Sequence, residues 1–400
     1  MANKHLGALV SALVLLTITC ACGSGSPNAT SPPGKPDFLY ALALSGSPTS
    51  PAFQLSNFTV DSSTGTLSST STTMFGSQLV PGIAVDPGSK YLYASYPNIQ
   101  ANAIGFFTID PSSGVPTQTS VYSLTVLCPF CPPPSSPGVL AMNPNGKYLY
   151  YASSELGGGV SQGIGALAVD SASGTLSVVA GSPFPADQAA FRVYVHPSGR
   201  FLYTENIEAS GTGGAALQSL SGFSIDSSTG ALAPVLGSPF TPPVSATVGT
   251  LAVHPSGNFL YATSGMAANG ILGWSIDGTT GRLAVLPGSP FQLGVAIYGG
   301  AFDPSGKFLY ASASAGGILG FSVDANSGAL TPIAGSPFAS SSVLGGPTIE
   351  PSGRFLFAVD GKNSAIVGFS IDSATGALAP LGSPTAVSAH PMSLTVVKAP

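Results

Sequence analysis

From Phe38 onward the chain alternates short apolar runs with polar turns rich in Gly, Pro and Ser, the rhythm of short strands joined tightly. Three landmarks recur. An aromatic strand reads Phe38-Leu39-Tyr40, Tyr91-Leu92-Tyr93, Tyr148-Leu149-Tyr150, Phe201-Leu202-Tyr203, Phe259-Leu260-Tyr261, Phe308-Leu309-Tyr310 and Phe355-Leu356-Phe357. A second strand ends in Asp seven times, at Asp61, Asp110, Asp170, Asp226, Asp277, Asp324 and Asp372. Each Asp opens a turn closed by Gly, as in Asp226-Ser227-Ser228-Thr229-Gly230, and a third strand follows. Asp accepts backbone N–H bonds and Gly supplies a positive φ, which is what a tight connection needs.

The third landmark is a turn that occurs six times, at Asp86-Pro87, Asn143-Pro144, His196-Pro197, His254-Pro255, Asp303-Pro304 and Glu350-Pro351. The first unit lacks it and starts directly at Phe38. A surplus strand stands at the other end, Met392-Ser393-Leu394-Thr395-Val396-Val397. The repeat interval averages about 53 residues, in the range of propellers and other arrays. Seven four-stranded units, one completed from the C-terminus, predict an all-β, seven-bladed β-propeller over residues 37–400. Residues 392–397 should pair with 38–44, since closure removes the edges that an open sheet leaves exposed.

Composition agrees. Of 400 residues, 51 are Gly and 36 Pro, which excludes a helical bundle, while 44% are hydrophobic, which excludes a largely disordered chain. With 11 basic and 16 acidic residues the net charge is −5, unlike the basic footprint of a nucleic-acid binder. At the N-terminus, Lys4 and His5 precede an apolar run from Leu6 to Thr19, too short to span a bilayer and suited to a signal peptide. Residues 1–22 read as that signal with a lipobox-like end. Lipidation is expected at Cys22, with Cys20 as the alternative, and residues 23–36 form a flexible tether. The protein should therefore be exported and lipid-anchored in the cell envelope, at the periplasm or outer membrane, or else secreted. The membrane is touched through the anchor alone.

Few charges escape the repeat. Lys90, Lys147, Arg200, Lys307 and Arg354 share one position after the Pro-x-Gly turn, and ten acids belong to the turns. His196 and His254 hold a site occupied elsewhere by Asp, Asn or Glu, so they read as hydrogen-bonding turn residues. Trp274 falls where Phe stands in other units and reads as core. Let A, B, C and D name the strands outward from the axis. The A–B and C–D turns then share one face, and the B–C and D–A loops share the other. That second face carries the irregular loops Tyr96 to Ala103, Ser153 to Gly163 and Glu205 to Ser219, and loops on a rigid scaffold concentrate function. Its off-repeat charges are Glu155, Asp187, Arg192, Glu205, Glu208, Asp360 and Lys362, with His390 at the start of the closing strand.

Units such as Val253-His254-Pro255-Ser256-Gly257-Asn258-Phe259-Leu260-Tyr261 and Phe321-Ser322-Val323-Asp324 resemble the lactonase family of seven-bladed propellers, which includes 6-phosphogluconolactonase and a carboxymuconate-lactonizing enzyme. The resemblance covers residues 37–400 and implies lactone hydrolysis. No cofactor or metal is expected, since the sequence shows no phosphate-binding Gly loop and no dense acidic cluster. Its enzymes carry Gly-Pro-Arg-His entering one A strand and Asn-Glu leaving the next B strand. Here the matching positions read Ala189-Ala190-Phe191-Arg192, and Asn206 is followed by Ile207, so the pattern keeps Asn206 alone.

Arg192 should lie across from Glu205 in the hairpin around Ser198-Gly199, near the channel mouth. Arg can hold a carboxylate or an oxyanion and Glu can act as base. The catalytic candidates are thus Arg192, Glu205 and Glu208, with Asp187, Asn206 and His390 as ligand-binding candidates. The plainer reading is a cross-strand ion pair closing a blade. If exposed, it contributes about 0–1 kcal/mol, and Arg192→Ala should barely change stability. Cys128-Pro129-Phe130-Cys131 in an exported chain reads as a disulfide. Two functions follow from the same face. One is an envelope lactonase acting on a small-molecule lactone. The other is a non-catalytic propeller binding a protein or glycan. The chain is expected to be monomeric.

Overall fold

The computed structural model describes residues 36–399 except 48–49, 77–79, 81, 97–101, 125–136, 154–162, 187–188, 210–214 and 339–341. The expectations for the signal, the tether, Cys20, Cys22, Cys128, Cys131, Glu155 and Asp187 lie outside these residues.

Seven four-stranded antiparallel blades form a ring. Blade two shows the full unit, with Ile83–Val85, Tyr91–Tyr96, Ala103–Ile109 and Pro116–Ser123 as strands A to D. Blade one is completed from the far end of the chain: its strand A is His390–Val397, paired with Asp37–Ser47 from Phe38↔Val397 to Leu44↔His390. The closing strand starts two residues before the predicted one and carries a bulge at Met392. From blade two through blade seven to the closing strand, each A strand touches the next, which places the A strands innermost.

The aromatic landmarks form the seams between blades. Tyr194 and Tyr203 of blade four pack with Leu260 and Trp274 of blade five in one cluster, and Trp274 is buried there as expected. In blades one to six the strand-B tyrosine also donates its hydroxyl to the Gly carbonyl of the next blade's C–D turn. Tyr40, Tyr93, Tyr150, Tyr203, Tyr261 and Tyr310 reach Gly114, Gly174, Gly230, Gly281, Gly328 and Gly376 at 2.7–2.9 Å. Burial raises all six hydroxyl pKa values, so these groups stay protonated donors. The seventh position is Phe357, which has no hydroxyl to offer to blade one.

His196 and His254 act as the turn residues that their positions imply. Nε2 of each meets the carbonyl of Gly257 or Gly306 in the next blade, at 2.8 and 2.7 Å, and Nδ1 accepts the N–H of Ser198 or Ser256. Gly257 and Gly306 have positive φ, and a Cβ at either would stand about 2.5 Å from the facing imidazole, so a side chain there would displace the ring.

Two features escaped the sequence reading. After strand D, the repeated Gly-Ser-Pro-Phe segments at Phe184, Phe240, Phe291 and Phe338 bridge back to strand C by backbone pairing. The span Glu205 to Ser219, expected as an irregular loop, is instead mostly strand: Phe201–Ala209 and Ala215–Ile225 pair out to Ala209↔Ala215. The second of these strands then pairs with strand A of blade five at Ala216↔Thr247 and Leu217↔Ala246, joining blades four and five into one eight-stranded sheet.

Candidate functional site

Strand A of blade four, Ala189–Val195, runs against Phe201–Ala209 with Arg192 opposite Glu205. The predicted pair forms, with Arg192 Nη1 3.2 Å from Glu205 Oε2. Its environment corrects the expectation of an exposed pair, because Arg192 is 2% and Glu205 1% exposed. Two residues along the same strand face, Tyr194 lies opposite Tyr203 and donates its hydroxyl to Glu205 Oε1 at 3.0 Å. The Leu251 N–H of blade five donates to the Tyr194 oxygen at 3.2 Å and also serves the carboxylate. The Arg192 guanidinium carbon stands 4.6 Å from the centre of the Phe191 ring. The network is sunk in the seam between blades four and five, and neighbouring strand A of blade five supplies part of its cover.

Burial pushes the Glu205 carboxyl above the usual carboxylate range, while Arg192, Tyr194 and the Leu251 N–H pull it back down. Burial wins. Tyr194 was not foreseen, although the two-residue alternation of a strand puts it beside Arg192.

Asn206 and His390 do not converge on this pair. Asn206 follows Glu205 directly, so strand alternation turns it to the opposite face. It is fully buried, and its Nδ2 donates to the hydroxyls of Ser219 and Ser221 at 2.9 and 2.7 Å. Glu208 is a strand residue opposite Ala216, further along the same hairpin. His390 is exposed at the start of the closing strand, opposite Leu44 and three blades away around the ring. A Cβ on Gly361 would lie 3.0 Å from the His390 ring. Asp360 is buried as a turn residue, accepting from the Ser342 hydroxyl at 2.6 Å and from the Asn363 amide nitrogen at 2.8 Å. Among the described residues, no three His, Cys, Asp or Glu side chains gather as a metal-binding group.

Residues 301–397, blades six and seven with the closing strand, match the family model described as Lactonase, 7-bladed beta-propeller. The protein is a lactonase-like propeller. A candidate 6-phosphogluconolactonase from Bacteroides uniformis superposes with a TM-score of 0.68 at 17% identity, covering 91% of this chain and 100% of that one. The periplasmic gluconolactonase of Pseudomonas aeruginosa gives 0.68 at 18% identity, over 91% and 99%. A functionally unknown protein from Desulfotomaculum acetoxidans gives 0.64 at 12%, over 92% and 100%. No curated protein matches the sequence. At such identities the lactonase-like propeller shares a fold with these proteins, and its chemistry has to be argued from its own residues.

Proposed function

We propose that this lactonase-like propeller is an exported lactone hydrolase, lipid-anchored through Cys22 or Cys20, that opens a sugar or carboxylated lactone at the axial mouth of the loop face. The observation that carries the reading is Glu205, a carboxyl raised by burial and held by Arg192 on the innermost strand of blade four. Perturbed carboxyls with a specific charge partner are concentrated at catalytic sites. In this role Glu205 takes a proton from the attacking water, and Arg192 stabilises the oxyanion or holds a substrate carboxylate. Glu208 is the alternative base, and Asp187 is assigned to the surrounding ligand contacts. Both central groups are covered in the closed ring. The reading therefore requires the Phe201–Ala209 and Ala215–Ile225 hairpin to lift from blade five before substrate enters.

A second reading, a non-catalytic propeller that binds a protein or glycan by the same face, is favoured by the hydrogen bonding of the Glu205 carboxylate, which engages both oxygens within the protein. A screen of sugar and carboxylated lactones with the chain lacking residues 1–22 separates the two. The hydrolase reading expects turnover that falls by about a hundredfold or more in Glu205→Gln, the scale of a lost general base. No turnover of any lactone by the parent protein would leave the binding reading. Palmitate labelling that is lost in Cys22→Ala supports the anchor, and labelling lost only in Cys20→Ala moves it.

A further inference from the structure

The outer rim of the ring is not uniform. In blades three to seven strand D is three residues long, from Leu176–Val178 to Leu378–Pro380, and it ends in Pro in blades four, six and seven. Further along, strand C is paired by the chain bridging back, at Phe184, Phe240, Phe291 and Phe338 and through Thr385–Ala386. Blades one and two differ. Their D strands, Leu67–Gly76 and Pro116–Ser123, follow strand C for ten and eight residues. Among the described residues no strand pairs with the outer side of either.

An open edge presents a row of N–H and C=O groups to any strand it meets, and proteins blunt such edges with short strands, Pro, bulges and charged residues. The D strand of blade one is long and has no Pro, and no ionisable side chain occurs between Asp61 and Asp86. Bulges at Thr70 and Phe75 are the one device present, and they leave Ser71–Met74 as a straight run. Residues 68–73 are all Ser or Thr, four of them exposed, and Met74 is 56% exposed beside them. The D strand of blade two adjoins this surface, since the Thr73 hydroxyl donates to the Pro116 carbonyl at 3.4 Å. It carries no Asp, Glu, Lys, Arg or His either, and Val121 is exposed on it.

The strand this edge suits is its own copy. Blunting guards first against self-pairing, because an identical edge is always present at the same concentration. A two-fold axis sets the strand antiparallel to itself. Centred on Ser71–Met74, it opposes Thr72 of one copy to Thr73 of the other, a favourable cross-strand pair. The chain carries a net charge of −5, yet none of it lies on this strand to repel a second copy. We propose that the protein forms a two-fold dimer in which Leu67–Gly76 pairs antiparallel with the same strand of a second copy. The dimer replaces the monomer expected from the sequence. It does not depend on the hydrolase reading, because the contact lies on the rim and not at the axis.

The test is sedimentation equilibrium of the chain lacking residues 1–22. A monomer–dimer equilibrium is expected with a Kd of about 100 μM or tighter, the strength of a small interface. Salt at about 1 M should leave it intact, since no charges meet. Thr72→Lys with Met74→Lys should weaken it tenfold or more without moving the urea midpoint, because both side chains are exposed, whereas Thr72→Val should dimerise as the parent does. Thr72→Cys with Thr73→Cys should give a covalent dimer on mild oxidation. The parent, with Cys128 and Cys131 alone, and Leu236→Cys on the rim of blade four should not. A monomer at every concentration, a dimer dissolved by salt, or a dimer untouched by the two lysines would overturn the proposal. So would covalent capture through Leu236→Cys in place of blade one, or a monomer that pairs only with an added foreign strand.

Discussion

Arg192→Ala leaves Glu205 buried and facing the Tyr194 hydroxyl and the Leu251 N–H, with its counter-charge gone. A buried carboxylate stripped of its counter-charge takes up a proton. In the unfolded chain the same carboxyl is ionised at neutral pH. Keeping it neutral at pH 7 costs up to about 3.7 kcal/mol, at about 1.36 kcal/mol per pH unit above an ordinary Glu value of about 4.3. That ceiling lies within the roughly 3–5 kcal/mol for removing one partner of a buried pair. It is several times the worth of an exposed one. The sign follows from the raised folded value. The folded carboxyl keeps its proton where the unfolded one has released it, so the variant regains stability as pH falls. At pH 5 the same arithmetic leaves about 1 kcal/mol.

Trp274, the sole tryptophan and buried in this seam, reports unfolding in urea at both pH values. Parent protein measured alongside cancels the titration of the histidines. Arg192→Met with Glu205→Leu removes both charges and should recover most of the loss, as apolar replacements of buried pairs do. A penalty below about 1 kcal/mol at pH 7, the range of exposed pairs, would refute a desolvated pair. So would a penalty equal at pH 7 and pH 5.

Burial lowers the pKa of His196 and His254, so their contribution to stability is full above about 6.5, the ordinary His value, and is lost as pH falls from there toward their folded values. Replacing both with Asn, which already spans a seam from Asn143 to the Gly199 carbonyl, should flatten the stability–pH slope below 6.5, and an unchanged slope counts against the assignment. Phe357→Tyr should add the missing seventh staple toward Gly65 and stabilise the ring by about 1 kcal/mol in urea unfolding, whereas Tyr261→Phe should cost about as much. A chain ending at Ala389 loses strand A of blade one and should show no cooperative unfolding transition, because the ladder from Phe38 to Leu44 is left unpaired. A sharp transition in that chain would mean that the ring does not need its closing strand.

The ring is legible in the sequence because its determinants are local and repeated. An aromatic strand, an Asp-to-Gly turn and a Pro-Gly turn each specify a few residues of backbone, and seven copies at one interval leave few architectures that bury them all. The missing first turn and the surplus last strand even specified closure. Part of the site was legible for the same reason, since a hairpin around Ser198-Gly199 places Arg192 opposite Glu205 by register. Burial of that pair was not legible. It depends on blade five, whose Leu251 lies some fifty residues further on and contributes the backbone donor of the network. The hairpin beyond Glu205 looked irregular because it carries no repeat landmark. Its strands are held by backbone bonds to the neighbouring blade, which any side chain can accompany. Strand A of blade four skips Phe191 between Ala190 and Arg192, and strand A of blade six skips Tyr298 between Ile297 and Gly299; one residue too many in a strand becomes visible only when the partner's register is known. Local chemistry wrote the blades; exposure and ionisation were decided where blades meet, because those properties belong to pairs of distant segments and not to either alone.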